Sequence, residues 1–219
     1  MIGTPLSTLF NDNRIKAATS HCFLVGVRSL GDFMLFDLTA KNFSGYNIFG
    51  IAVFPDQGSP FIIALEENSC SFSYLLTIIK NVPDGNTALK DFEGEDRTEL
   101  LLSSNSKAFP SEEDLQSRFA PIWVSQYSTP KRPELKWRLP SMGELILIGK
   151  YRSEINCLLS KLGKTPISTD CYYYSSLEKE YNTVWAVYFS ENFWNAQGVY
   201  RLNDNIARPV ISLSKIFRS

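Results

Sequence analysis

Lys136-Trp137-Arg138-Leu139-Pro140-Ser141-Met142-Gly143-Glu144 is the stretch on which the rest of the chain turns. Ser141 and Glu144 have the Ser-x-x-Glu spacing of a capping box. In that motif the serine oxygen takes the amide proton three residues on, and the glutamate reaches back to the serine amide. Apolar residues then recur at Leu145, Ile148, Tyr151, Ile155, Leu158, Leu159 and Leu162, the spacing of one helix face. Gly163 falls where a left-handed C-terminal cap belongs. The spacing predicts one long helix over 142–162. Gly149 inside it costs about 1 kcal/mol relative to alanine, which marks a close approach by a neighbouring element.

Downstream, Trp185, Val187 and Phe189 alternate with Ala186, Tyr188 and Ser190. Period two predicts a strand with the first three turned inward. The Asn-rich and aromatic residues that follow, through Gly198, read as a loop. Residues 206–213 read as a final strand in which Pro209, lacking a ladder donor, marks an edge or a strand start. Ser175 and Ser176 read as strand-end polar groups.

Upstream, strands are predicted over 21–27, 32–38, 47–54 and 60–65, with turn residues at Ser29 to Gly31. The last two strands are joined by Pro55-Asp56-Gln57-Gly58-Ser59, whose proline and glycine suit a chain reversal. The first half therefore reads as an antiparallel meander. Residues 1–30, with an apolar patch at Leu6, Leu9 and Phe10, read as an N-terminal arm or extra strand, and 31–219 as one ligand-binding domain. From Asn81 the chain is polar, with short helices expected over 87–92 and 96–102. A helix start is expected at Ser111-Glu112-Glu113-Asp114, and another helix opens at Pro121, because proline fits a first helical turn.

The 219 residues are 44% hydrophobic and 21% charged, ordinary for a globular protein. A formal charge of −1 without a Lys/Arg block argues against a nucleic-acid partner. No apolar run reaches membrane-spanning length, and Asn11, Asp12, Asn13, Arg14 and Lys16 interrupt any secretory-leader pattern. Cys22, Cys70, Cys157 and Cys171 lack tight pairing or metal-ligand spacing; the even count permits disulfides, but buried free thiols are the favoured reading. His21, the only histidine, stands before a strand with no nucleophile placed for it. The cap explains Glu144; Glu112, Glu113 and Asp114 form a solvated helix start. Asn203-Asp204-Asn205 is too compact for a calcium loop, which gathers about 6–8 oxygens. No phosphate-binding glycine motif is present. No cofactor or metal is implied, and the pattern points to a binding surface rather than a reaction.

An ordered series of motifs carries a family resemblance. It comprises Trp137-Arg138-Leu139-Pro140-Ser141-x-x-Glu144-Leu145, Ile155-Asn156, Leu158-Leu159, Tyr173-Tyr174-Ser175-Ser176, Trp185-x-Val187-x-Phe189 and Arg208-Pro209-Val210. Upstream, Gly31-Asp32-Phe33, Ile51-Ala52-Val53-Phe54, Ile63-Ala64-Leu65 and Asp84-Gly85-Asn86-Thr87 join it. Together they resemble the DUF1566 type of domain of gut Bacteroidetes and their phages, over about residues 31 to 213. The resemblance implies an α+β, C-type lectin-like fold of the formylglycine-generating-enzyme subtype, similar to the variable proteins of diversity-generating retroelements. Trp185, Val187, Phe189, Arg208 and Pro209 would then be scaffold. The chain departs from the pattern at Tyr174, where tryptophan is usual, and at Asn192, where glycine often follows the strand. Cys157 and Cys171 do not lie where the formylglycine-generating enzymes keep their cysteine pair.

Between the scaffold positions lie Leu177, Lys179, Tyr181, Asn182, Tyr188, Phe193, Trp194, Asn195, Tyr200, Arg201, Asn203 and Asn205. Tyrosine and tryptophan give large contact areas at low entropic cost and asparagine gives adaptable hydrogen bonding, as in paratopes. These residues are the expected ligand surface, weighed against a bland reading as core aromatics and solvated loop. The favoured expectation, which the resemblance implies, is a non-enzymatic receptor-binding or adhesin-type protein on a virion or cell surface, displaying a variable C-terminal surface that is retroelement-diversified or fixed. It would recognise a bacterial surface protein or glycan. The alternative is a structural or assembly subunit of a phage tail or fimbria that meets another virion or fimbrial protein, or its own copies, through the same surface. A third reading, an oxidising enzyme of the formylglycine-generating type, would require thiol-dependent turnover of a cysteine peptide.

Overall fold

A computed structural model describes residues 4–5, 20–28, 32–73, 82–92, 94–108, 118–129, 132–191 and 193–216. Its strands are β1 (Thr4–Pro5), β2 (Cys22–Val27), β3 (Phe33–Phe36), β4 (Asn47–Val53), β5 (Phe61–Ala64), β6 (Asn68–Cys70), β7 (Cys171–Glu180), β8 (Thr183–Phe189), β9 (Trp194–Tyr200), β10 (Asn205–Ala207) and β11 (Val210–Ser212). Its helices are α1 (Gly85–Leu89), α2 (Gly94–Ala108), α3 (Ala120–Gln126), α4 (Met142–Lys150), α5 (Arg152–Lys161) and α6 (Leu213–Ile216). The expected helix start at 111–114, the apolar patch at 6–10, the turn at 29–31, Asn81 and Asn192 lie outside the described residues.

The strands form two sheets, in the orders β1-β3-β2-β4-β5-β11 and β6-β10-β7-β8-β9. Pairing is antiparallel except between β10 and β7. The fold is thus a sheet-rich α+β architecture. The first half is antiparallel as expected but is not a meander: β2 lies between β3 and β4. The stretch 22–27 is therefore a central strand of the first sheet, continuous with the rest of the molecule. Both faces of this sheet are covered. Cys22, Leu24, Ile51 and Ile63 enter one core, while Val25, Phe49, Ala52 and Ile62 enter another with Trp137. Two-sided burial explains why these strands read as apolar runs rather than as alternation.

The predicted capping box is present: Ser141 Oγ accepts from the Glu144 amide at 3.2 Å, and Glu144 Oε2 accepts from the Ser141 amide at 2.8 Å. The expected single helix is instead two, α4 and α5, meeting at Tyr151 (φ −99°, ψ 13°). Helical bonds continue across the kink, from Tyr151 N–H to Leu147 O and from Ile155 N–H to Tyr151 O. The apolar period consequently runs on unbroken and conceals the bend. Met142, Leu145, Ile148, Ile155, Leu158 and Leu159 fill the core between the two sheets, together with Tyr173, Leu177, Trp185, Val187 and Phe189. Gly149 allows the close approach its position suggested: a Cβ there would stand 2.8 Å from the Phe189 ring. Gly163 takes the left-handed φ of 65°. Pro121 lies in the first turn of α3.

Two further expectations are corrected. Residues 194–200 form β9, not a loop; as an outer strand it lacks a fully buried apolar row to announce it. Residues 206–213 are not one strand. β10 belongs to one sheet and β11 to the other, with Arg208-Pro209 at the crossing. The neighbouring stretch β5–β6 changes sheet at the same corner, since β5 pairs with β11 and β6 with β10. Proline suits a place where the ladder is interrupted.

Arg208 occupies that corner. Its guanidinium donates to Ala64 O at 3.0 Å, to Thr165 O at 3.2 Å and to Glu67 Oε2 at 2.9 Å, and Tyr173 Oη donates to the same glutamate oxygen at 2.7 Å. Buried arginine–carboxylate pairs recur elsewhere. Arg138 is bidentate to Glu144 at 2.7 and 2.6 Å, Arg201 meets Glu178 at 2.9 Å, and Arg97 meets Asp91.

Candidate functional site

The register of β7, β8 and β9 sorts the sequence-selected residues by face. Tyr172, Tyr188 and Asn195 stand in one cross-strand row, followed by Tyr174, Ala186 and Gln197. The opposite face carries Tyr173, Val187 and Ala196, then Trp185 and Gly198, and is turned to the core between the sheets. The first row is held as a unit. The Tyr172 and Tyr188 rings lie 5.1 Å apart, Phe193 lies 6.2 Å from Tyr188, and Gln197 Nε2 donates to Tyr172 Oη. Tyr188 Oη donates to Asp170 Oδ1 at 2.8 Å. That hydrogen bond to a carboxylate raises the Tyr188 phenol and keeps it a donor. Asp170 is the one non-glycine among the described residues with positive φ, a conformation aspartate tolerates.

Seven large hydrophobic side chains stand exposed among the described residues, and five of them fall between 181 and 202: Tyr181, Phe193, Trp194, Tyr200 and Leu202, at 39–60% exposure. They ring the second sheet rather than share one face: Trp194 and Tyr200, opposite Phe189 and Thr183, have the parity of the core-facing row, whereas Phe193 packs on Tyr188. A hollow of about 350 Å³ lies between the α4–α5 kink and the β8–β9 turn, lined by Lys150, Arg152, Asn156, Phe193 and Trp194. A larger hollow of about 680 Å³ lies among Tyr127, Trp137, Arg138 and Ser212, and none of the sequence-selected residues lines it.

The structure does not bring all the selected residues to the surface. Leu177 is 0% exposed and sits in the core between the sheets. Arg201 is 1% exposed, with its charge met by Glu178. Lys179 is half-buried with its ammonium over the Trp185 ring at 4.6 Å. Asn205 is half-buried and donates to Tyr174 Oη at 3.0 Å. Asn182 and Asn203 are exposed, but their carbonyls are engaged by Arg201 N–H and Tyr174 Oη. Tyr172, Gln197 and Leu202 belong with the surface and were missed. Reading 194–200 as a loop hid the row that joins Gln197 to Tyr172.

Other candidates resolve into structure. Glu144 caps α4 and also pairs with Arg138. Asp204 Oδ1 accepts from Ser71 Oγ at 2.9 Å, so the Asn203–Asn205 triplet works as a turn. All four cysteines are free. Cys22 and Cys70 are buried, but Cys157 is exposed and Cys171 half-buried, contrary to the expectation of buried thiols. Burial pushes the Cys70 thiol up to about 12, making it inert.

His21 stacks on Tyr151 with ring centroids 4.6 Å apart and lies 3.1 Å from Asp56 Oδ1. Lys150 Nζ donates to Asp56 Oδ2 at 2.8 Å, which, with the His21 bond, lowers the Asp56 carboxyl to about 2 from its ordinary 3.8. A carboxyl lowered in the folded state contributes stability that is complete above its unfolded value and is lost as pH falls through about 2. In thermal melts, Asp56→Asn should lower Tm by a constant amount at neutral pH, and its difference from the parent should close as pH approaches 2. A difference that persists there would assign Asp56 a role independent of charge.

No protein-family model and no curated protein matches the chain. Among solved structures, a fimbrial protein from Bacteroides ovatus is similar, with a TM-score of 0.51 and 17% identity. The match covers 70% of this chain and 35% of that one, so this chain spans about a third of its length. At that identity the likeness concerns fold alone.

Proposed function

We propose that this chain is a non-enzymatic recognition protein of the adhesin or fimbrial type. Its scaffold is C-type lectin-like, of the formylglycine-generating-enzyme subtype, and its contact surface is the outer part of β7–β9. The observation that carries the reading is the packed aromatic row Tyr172–Tyr188–Phe193 on the face turned away from the core between the sheets. Tyr172, Tyr188 and Phe193 offer rigid aromatic area, while Asn195, Gln197 and Asp170 supply a polar rim, the composition of paratopes and binding hot spots. The buried arginine–carboxylate pairs hold the scaffold beneath. The fitting partner is a bacterial surface protein or glycan. The fimbrial fold neighbour favours the second reading, in which the same surface joins one subunit of an appendage to the next.

The test is binding of fluorescently labelled protein to a panel of intact bacterial cells. Tyr188→Ala combined with Phe193→Ala should weaken binding at least about tenfold, roughly 1.4 kcal/mol, with the unfolding midpoint nearly unchanged. Undiminished binding would remove this face from the function. If the parent binds no cell but joins fimbrial subunits, the assembly reading stands in its place.

A further inference from the structure

We propose that β9 is a self-association edge, through which two copies of this chain join their second sheets into one continuous sheet about a twofold axis. Among the described residues β9 is an outer strand, paired on one side with β8 and in register along all seven of its residues without a bulge. The other sheet edges among the described residues are β1, β6 and β11, of two, three and three residues. Short edges of that kind resist pairing with other chains, as do edges carrying charges or proline. β9 has neither protection: it reads Trp194-Asn195-Ala196-Gln197-Gly198-Val199-Tyr200.

The direction of its backbone groups follows from the two ends of the β8–β9 ladder. Ser190 N–H donates to Phe193 O, and Arg201 N–H donates to Asn182 O. Antiparallel strands alternate between residues bonded to the neighbour and residues facing away from it. Asn195, Gln197 and Val199 therefore turn their backbone groups toward β8. Trp194, Ala196 and Gly198 turn N–H and C=O to the open side, as Tyr200 does its N–H; Tyr200 O is taken by Asn203 N–H.

A second copy is the partner that fits this edge. Full antiparallel overlap places Trp194 opposite Tyr200 of the partner subunit and Ala196 opposite Gly198 of the partner subunit, with Gln197 on the axis. The residues of outward-bonding parity then stand opposite one another, so the new ladder closes. An aromatic pair forms at each end with small residues between, and aromatic cross-strand pairs are favourable. The strand carries no charge to repel its own image. Lys179 is held on the sheet face, over Trp185 and against Gly198. The contact is isologous and closes as a dimer. It also sets the two Tyr172–Tyr188–Asn195 rows in one sheet, so that a ligand with repeated epitopes gains avidity. The proposal goes beyond the recognition reading, since dimerisation and the Tyr188 row are tested by different variants.

The experiment is sedimentation equilibrium on the parent chain and two double variants, each checked for folding by circular dichroism. The parent should be a dimer in the micromolar range. Trp194→Lys with Tyr200→Lys sets lysine opposite lysine at both ends and should give a monomer. Trp194→Lys with Tyr200→Glu sets opposite charges at both ends and should restore the dimer, which also shows that substitution at these positions leaves the fold intact. A monomeric parent, a persistent dimer in the lysine–lysine variant, or no recovery in the folded lysine–glutamate variant overturns the proposal.

Discussion

Arg208→Ala is expected to cost about 3–5 kcal/mol of folding stability, the usual consequence of removing one partner of a buried ion pair. The reason lies at the corner where the chain changes sheets twice. Glu67 follows β5 and Arg208 follows β10, their side chains are 10% and 1% exposed, and they meet at 2.7 Å. Alanine at 208 leaves the Glu67 carboxylate, among the described residues, with the Tyr173 and Ser168 hydroxyls. It also strips the arginine donors from the Ala64 and Thr165 carbonyls. Domain stabilities are typically about 5–15 kcal/mol, so a single substitution would remove a large share. Urea denaturation measures it directly. Arg208→Lys should recover only part, because an ammonium cannot reproduce the guanidinium fork toward three acceptors. Replacing both partners by apolar residues should recover more than either single change, since the unpaired charge is what costs. A loss below about 1 kcal/mol for Arg208→Ala would place it with exposed pairs and show that the corner is held by its backbone bonds alone.

What was legible in the sequence was local. The capping box needs four residues, the helix face is a repeat within one turn, and β8 announces itself by alternation between two buried neighbours. What escaped depends on residues far apart. The kink at Tyr151 preserves the helical period, so only contacts with His21 and Asp56, brought from the first sheet, reveal it. β2 inserts between β3 and β4 by a choice of neighbour that no local pattern encodes. β9 exposes both ends and keeps small residues in the middle, so its apolar signal fell below that of a half-buried strand. The surface was partly legible for the same reason. Large aromatics in a polar segment stood out, whereas depth within the segment did not: Leu177 and Arg201 belong to the same stretch as Tyr181 and Leu202 but point the other way.

Arg201 and Leu202 turn that last point into a measurement with opposite outcomes at adjacent positions. By residue type the arginine belongs outside and the leucine inside. The structure reverses them: Arg201 is 1% exposed and Leu202 is 54% exposed. Arg201 N–H donates to Asn182 O, its carbonyl accepts from Phe72 N–H at 2.7 Å, and its guanidinium meets Glu178, itself 2% exposed, at 2.9 Å. One residue thus links the β7–β8 turn, the end of β9 and the chain beyond β6. Arg201→Ala removes one member of a buried ion pair, at an expected cost of about 3–5 kcal/mol. Leu202→Ala removes surface already in water and should stay within about 0.5 kcal/mol of the parent. A double-mutant cycle of Arg201→Ala with Glu178→Ala isolates the pair, and its coupling should account for most of the arginine effect. If Arg201→Ala instead unfolds with the parent and loses only cell binding, the arginine serves the ligand, as its place among the aromatics first suggested. The burial of both charges together argues for the structural role: a side chain that must reach a partner molecule cannot also be committed to a carboxylate sealed from water.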